Sequence, residues 1–307
     1  DAMTAGKINY QVLNAAVYLK NKAVAWGRAR SQAAEFMKKN PDVRFFIRMN
    51  FIVDRKWFAS EYPGNMTVFE DGTEQYWTKS GEAKERYSYA SSIWERLASE
   101  GLVEMVNQLA KEPYGERVFG IMITFGVSGE GNWWSEFDWQ RHGIDYSPAM
   151  QDYFRNYLRK KYGDDVKKLQ SSWGMNVSFE NARIPSFATR GIDVPSSCNE
   201  DIFQVPGAFG HFRNPQEPGT LQSIDFHMAM CNVLAERLSY FCHVVKKASG
   251  GKLLAGGLHS PPFAAALFQW NGSGAFGDII KSPYIDFDAT PWTYEGRNLG
   301  EGLYFRG

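Results

Sequence analysis

Glu130 is the residue around which the sequence gathers the means to do chemistry. It follows Val118 to Phe125, a nearly unbroken apolar run, and stands among Gly126, Gly129 and Gly131. Such a run reads as a strand buried on both faces. Glycines let the backbone turn sharply at its end, so a carboxyl placed there would stand exposed at the strand mouth. Trp133 and Trp134 come next. Apolar rings beside a carboxyl raise its pKa by desolvation, which suits a general acid near neutral pH. Spacing alone also allows a plain surface-loop glutamate.

Other residues of chemical interest sit at similar positions. Arg48 and Asn50 alternate with Phe46 along a β-type run, so all three should share one face. Turned inward, they would be polar floor or subsite groups. His259 follows a short strand pattern and fits either a ligand contact or a structural histidine. Trp133 and Trp292 are candidate platforms, since an electron-rich ring face attracts the slightly positive C–H groups of a sugar. Trp94 and Trp173 read as core. Ser128 or Ser260 with His259 would serve an esterase, yet neither serine lies in a nucleophile-elbow motif. HExxH, P-loop and GxGxxG patterns are missing, and the five histidines have no metal-ligand spacing, so no metal or cofactor is implied. Cys198, Cys231 and Cys242 lack CxxC spacing. The last two fall on one predicted helix, about 16 Å apart, and cannot pair with each other.

The elements that must position these residues alternate. A helix is expected over 27–40, capped by Ser31, then a strand over 43–53. Residues 54–90 read as a long loop. A helix over 92–110 opens on a capping box, Ser92 with Glu95. The strand 118–125 follows. The next helix has Ser147 as cap and Pro148 in its first position, with Gly163 closing it. A short second helix runs to Trp173 and Gly174. Residues 175–222 show little periodicity, a length of loop that is often functional. A long helix over 223–249, a strand from Lys252, a helical piece near 276–281 and a strand over 285–290 complete the pattern. Strands alternating with helices in this way predict an α/β fold. In a barrel of that class the strand C-terminal ends build the active site, though a doubly wound sheet would use the same edge.

Composition narrows the partners. The 307 residues carry 34 Lys plus Arg against 34 Asp plus Glu, so neither nucleic acid nor an anionic membrane is an expected partner. Hydrophobic residues at 44% suffice for a full core. Ten tryptophans are many for this length and point towards carbohydrate. No transmembrane run or signal peptide is recognisable, and a cytoplasmic location is slightly favoured.

The stretch Gly120 to Trp134 resembles the acid/base strand of clan A retaining glycoside hydrolases. The segment Met150 to Gly163, continuing through Leu169 to Gly174, is similar to the helix, Tyr-Gly and Trp-Gly pattern that follows the acid/base in the thermophile-type β-galactosidase family. Ser282 to Asp288, with Tyr294 and Arg297, resembles a late strand of the same barrels. The likeness spans roughly residues 41–307. It implies a (β/α) TIM-type barrel, a carbohydrate substrate, retaining hydrolysis with Glu130 as acid/base, and substrate contacts from Arg48, Asn50, Trp133, Trp134, His259, Trp292, Tyr294 and Arg297.

Two departures qualify it. The family acid/base directly follows Asn, whereas Gly129 precedes Glu130, so an amide contact to the sugar 2-hydroxyl must come from elsewhere or be lost. The family nucleophile is a Glu on a strand beyond the Tyr and Arg segment, and the chain stops at Gly307. Retention needs two carboxyls about 5–5.5 Å apart. Glu295 is the first candidate for the second carboxyl, with Asp286 and Asp288 behind it as more structural choices. The expectation is one incomplete barrel domain over 1–307, lacking its first strands and the C-terminal strand or strands. Residues 1–26 form an extension of uncertain structure in which Ile8 to Leu19 could hold one element. An open barrel should associate with a second copy to close itself. A carbohydrate-binding or inactive fragment is the competing expectation.

Overall fold

The computed structural model describes residues 9–73, 76–79, 82–85, 87–126, 129, 131, 144–190, 220–258 and 273–289. Among them, one sheet has the order β2-β1-β3-β6-β7-β8, and β4-β5 is a separate ribbon. The strands are β1 (Tyr10–Tyr18), β2 (Val24–Ala25), β3 (Arg44–Ile52), β4 (Tyr76–Lys79), β5 (Glu82–Glu85), β6 (Val118–Thr124), β7 (Leu254–Leu258) and β8 (Phe287–Ala289). Strands β1, β3, β6, β7 and β8 run parallel, and β2 is an antiparallel edge. The helices are α1 (Gly27–Lys39), α2 (Arg55–Glu61), α3 (Ser92–Leu109), α4 (Pro148–Tyr162), α5 (Val166–Trp173), α6 (Thr220–Ala248) and α7 (Phe276–Lys281). This is α/β architecture with a parallel sheet, as expected of part of a TIM-type barrel.

Alternation along the strands decides which face the helices cover. Leu13, Ala15 and Val17 of β1 are buried, as are Phe45, Ile47 and Met49 of β3 and Ile121 and Ile123 of β6. Each of these side chains larger than alanine contributes about 1.5–3 kcal/mol when withdrawn from water. Helices close on this face where small residues admit them. A Cβ on Gly101 of α3 would lie 2.5 Å from Val17, and one on Gly257 of β7 would lie 2.7 Å from Leu238 of α6. We call this the outer face. On the inner face Tyr10 and Val12 remain 65% and 40% exposed, so among the described residues no helix covers this part of the sheet.

Several local expectations are corrected. Residues 10–18 supply the element anticipated within Ile8 to Leu19, and it is a full strand, paired with β3 from Tyr10↔Arg44 to Tyr18↔Ile52. Part of the N-terminal stretch thus belongs to the sheet. The supposed loop over 54–90 contains α2, capped by Asp54, and the β4–β5 ribbon. Ser31 does not cap α1; it sits one turn inside, and its hydroxyl donates to the Gly27 carbonyl. The cap of α3 is Ser91, which accepts from the Trp94 amide at 3.0 Å, so no capping box forms. Glu95 instead pairs with Arg237 of α6. Ser147 caps α4 with Pro148 behind it, as the sequence indicates.

Helices α4, α5 and α6 meet around one buried carboxylate. Asp225 of α6 is fully buried and accepts from the Tyr162 hydroxyl at 2.7 Å and the Trp173 indole Nε1 at 2.9 Å, and pairs with Lys161. Gly163 and Gly174 follow Tyr162 and Trp173 at φ 63° and 66°, the left-handed conformation that ends each helix. The Tyr-Gly and Trp-Gly pattern is therefore a pair of helix ends whose last aromatic residues are fastened to a third helix.

Cys231 and Cys242 are free thiols buried on α6. Burial pushes the Cys231 thiol up to about 12 and raises Cys242 as well. Cys198 lies outside the described residues. Among the described residues no helix is long and apolar enough to cross a membrane.

Candidate active site at the strand C-terminal edge

Because β1, β3, β6, β7 and β8 are parallel, their C-terminal ends share one edge. The inner face there is built in layers. Phe46 of β3 lies 4.2 Å from Phe119 and 5.0 Å from Phe287, ring centre to ring centre. Glycines make room for these rings: a Cβ on Gly120 would approach Phe46 to 2.5 Å, and one on Gly256 would meet the Phe287 ring at 2.8 Å. This aromatic layer is a floor.

Above it the face turns polar. Arg48 and Asn50 share the Phe46 face, as alternation required, and stand in register with Met122 and Thr124 of β6. Thr124 is fully buried. Its Oγ1 lies 2.6 Å from the Met49 carbonyl and 2.5 Å from the Asn50 side-chain oxygen, two acceptors for its one proton.

The glycine turn after β6 sits directly on this group. Gly126, Gly129 and Gly131 have φ of 87°, 78° and 56°. The Gly129 amide donates to the Gly126 carbonyl at 3.2 Å, and the Gly131 amide to the Phe125 carbonyl at 2.8 Å. A Cβ on Gly129 would stand 3.1 Å from Thr124 Cβ, 3.2 Å from Arg48 Nη2 and 3.4 Å from Asn50 Oδ1. Residue 129 is thus doubly restricted to glycine, by its backbone and by its neighbours. Gly129→Ala is expected to cost about 1 kcal/mol for the left-handed backbone alone, plus the displacement of Arg48 and Asn50. Urea denaturation would measure it, and an unchanged midpoint would contradict this packing. Phe125 roots the turn, with ring centres 5.7 Å from both Tyr89 and Trp94 and 6.1 Å from Phe241. Trp94 and Trp173 are core, as read from the sequence.

Glu130 lies outside the described residues, although both its neighbours are placed. So do Glu295, Ser128, Trp133, Trp134, His259, Ser260, Trp292, Tyr294 and Arg297. Of the sequence-derived site, the structure brings together Arg48 and Asn50. It adds Thr124, which the apolar run around it hid. Among the described residues, no cluster of three or more His, Cys, Asp or Glu could hold a metal ion.

Asp286 and Asp288 are on the outer face. Asp288 is in register with Gly257, whose missing Cβ faces α6, and Asp286 pairs with Lys246 of α6 at 2.6 Å. Asp286 also accepts from the Ala255 amide at 2.8 Å. Both carboxyls thus point to the helix side of the sheet, away from Arg48 and Asn50.

A buried and a half-buried carboxyl link stability to pH. Burial pushes Asp288 up to about 7, and its Oδ1 is buried without a hydrogen-bond partner. Burial also raises Asp145, to about 6, against the lowering effect of its bonds from Ser88 and Ser147. An unfolded Asp titrates near 4, so between about pH 4 and 7 the native chain holds protons that the unfolded chain has released. Stability therefore falls as pH rises through that window. Asp286 does not offset this. Burial alone would raise it, but Lys246 and the Ala255 amide hold it below its usual range. The urea midpoint should be higher at pH 5 than at pH 8, and Asp288→Asn should flatten the difference. Equal slopes in parent and variant would remove Asp288 from the account.

Residues 55–202 match the model of glycoside hydrolase family 42, described as beta-galactosidase. Over that segment the chain is similar to the β-galactosidase-like glycoside hydrolases. It is 27% identical over 118 residues to beta-galactosidase Pbg of Clostridium perfringens, which covers 38% of this chain and 14% of that protein. The crystal structure of a β-galactosidase from the psychrophilic Marinomonas ef1 superposes with a TM-score of 0.52 at 14% identity, over 93% of this chain and 41% of that one. The cold-adapted β-galactosidase from Rahnella sp. R3 gives 0.55 at 13% identity, over 95% and 35%. The catalytic domain of a β-amylase from Paenibacillus polymyxa gives 0.50 at 15% identity, over 82% and 67%. These structures share the fold, and the β-amylase illustrates that one fold carries more than one activity. The chain spans less than half the length of each of the three β-galactosidases.

Proposed function

We propose that this chain is part of a retaining glycoside hydrolase that cleaves β-galactosides or related β-glycosides, with Glu130 as general acid/base. The observation that carries the reading is the seat of Gly129 on Arg48, Asn50 and Thr124. It fixes the residues flanking Glu130 at the parallel strand edge, where barrels of this class gather their catalytic groups. In this reading Arg48 and Asn50 bind sugar hydroxyls. Trp133, Trp134 and Trp292 stack on the ring faces, and His259, Tyr294 and Arg297 complete the contacts. Glu295 is the partner carboxylate on this chain.

A second reading, a carbohydrate-binding segment without turnover, is favoured by one observation. Asp286 and Asp288 face α6, which leaves Glu295 as the remaining candidate for the nucleophile. Hydrolysis of a panel of nitrophenyl β-glycosides separates the two. Hydrolysis is expected to release nitrophenol fastest from the β-galactoside, with the first sugar product in the β configuration. A folded chain that binds galactose and releases nothing from any member supports the second reading instead.

A further inference from the structure

The residue before Glu130 contributes no side chain, yet the space beside it is occupied by a side-chain amide. A Cβ on Gly129 would stand 3.4 Å from Asn50 Oδ1. That amide is held from below. Thr124 is fully buried, and its Oγ1 lies 2.5 Å from Asn50 Oδ1 and 2.6 Å from the Met49 carbonyl. A side-chain amide has one oxygen and two N–H donors. The Thr124 hydroxyl has one proton and two acceptors in reach; given to the Asn50 oxygen, that proton leaves the amide N–H groups as what Asn50 has to offer at the strand edge. Without that hydroxyl the amide could rotate about its last bond and present either end. A short β-branched residue in a strand is a rigid anchor for such a bond, because its χ1 is strongly restricted.

We infer that Thr124 is a positioning residue that turns the Asn50 amide so that its N–H group donates to a hydroxyl of a sugar bound beside Gly129. The inference rests on the glycosidase reading for its ligand class only; its geometry lies wholly in Asn50, Thr124, Met49 and Gly129. It assigns to β3, across the sheet, the amide that the glycine at 129 cannot supply.

Thr124→Val keeps the shape and β-branching and removes the hydroxyl, whereas Thr124→Ser keeps the hydroxyl. The first is expected to lower kcat/KM for a nitrophenyl β-galactoside about tenfold, the worth of one well-placed hydrogen bond, and the second by no more than about twofold. Asn50→Ala should lose at least as much as Thr124→Val, and adding Thr124→Val to it should cost little more, because the two act as one unit. An independent reading comes from the Asn50 side-chain amide in ¹⁵N NMR. Added galactose should shift its resonances in the parent and in Thr124→Ser but leave them unmoved in Thr124→Val. Independent, multiplying losses, or an Asn50 resonance in the parent that ignores galactose, would overturn the inference. A parent that shifts with galactose yet hydrolyses nothing would overturn the hydrolase reading and leave Thr124 in its role.

Discussion

Asp225→Ala is expected to destabilise the protein by about 3–5 kcal/mol, a large part of the roughly 5–15 kcal/mol that holds a domain folded. The size follows from what remains after the carboxylate is gone. Asp225 is fully buried on α6 and collects the Tyr162 hydroxyl, the Trp173 indole and the Lys161 ammonium from α4 and α5. Removing it leaves the Trp173 indole without an acceptor, leaves the Tyr162 hydroxyl with Ser172 Oγ alone at 2.8 Å, and opens a gap between three helices. An unmade buried hydrogen bond costs more than a made one gains, because the stranded group has lost water and gained nothing. Lys161 is 37% exposed and can turn to solvent, so the indole and the opened gap carry most of the loss. Asp225→Asn keeps the volume and one acceptor and should cost less than the alanine. Tyr162→Phe removes the hydroxyl that Asp225 shares with Ser172 and should cost about 1 kcal/mol. Urea denaturation followed by tryptophan fluorescence reads all three. A loss below about 1 kcal/mol for the alanine variant would mean that the helices hold without the knot.

That knot also illustrates how much was legible in the sequence. The Tyr-Gly and Trp-Gly spacing was visible as a pattern, and the glycines mark helix ends by a local rule. Its purpose was not visible, because the acceptor is one aspartate in a long helix about fifty residues further on. Nothing local distinguishes Asp225 from a surface acid. The shared face of Phe46, Arg48 and Asn50 was legible, since a period of two is fixed by strand geometry. Thr124 was not, because a hydroxyl at the end of an apolar run reads as one more β-former until the neighbouring strand is placed in register. The cap of α3 was misread by one residue for a related reason. Ser91 and Ser92 are equivalent in type, and the choice between them depends on where Glu95 goes, which is to Arg237 on α6. Asp286 and Asp288 could be called structural from alternation, but which side of the sheet they faced required the helix that packs there.

Glu130→Gln is expected to lower kcat by about 10²–10⁴ on a glycoside with a poor leaving group, the usual worth of a positioned general acid. The leaving oxygen of an alkyl glycoside or a disaccharide must be protonated as its bond to the anomeric carbon breaks, and glutamine has no proton to give. A dinitrophenolate leaves without one, so the first step on that substrate should be nearly unaffected. The loss should then move to the second step, where Glu130 as base would deprotonate the water that releases the sugar from the enzyme carboxylate. Glu130→Ala with added azide separates the possible roles by stereochemistry. If Glu130 is the acid/base, the sugar is already on the other carboxylate. Azide enters the vacated space and attacks the anomeric carbon from the face that water would have used. The carboxylate leaves, and the product is a β-glycosyl azide. If Glu130 were instead the nucleophile, azide would take its place on the opposite face, displace the aryloxide directly and give the α-azide. Rescue that yields the β-azide supports the assignment and directs the search for the second carboxylate to Glu295. The α-azide would reverse the roles. A loss that is the same for every leaving group, with no rescue, would take Glu130 out of the chemistry and leave the Arg48, Asn50 and Thr124 cluster as a binding site alone.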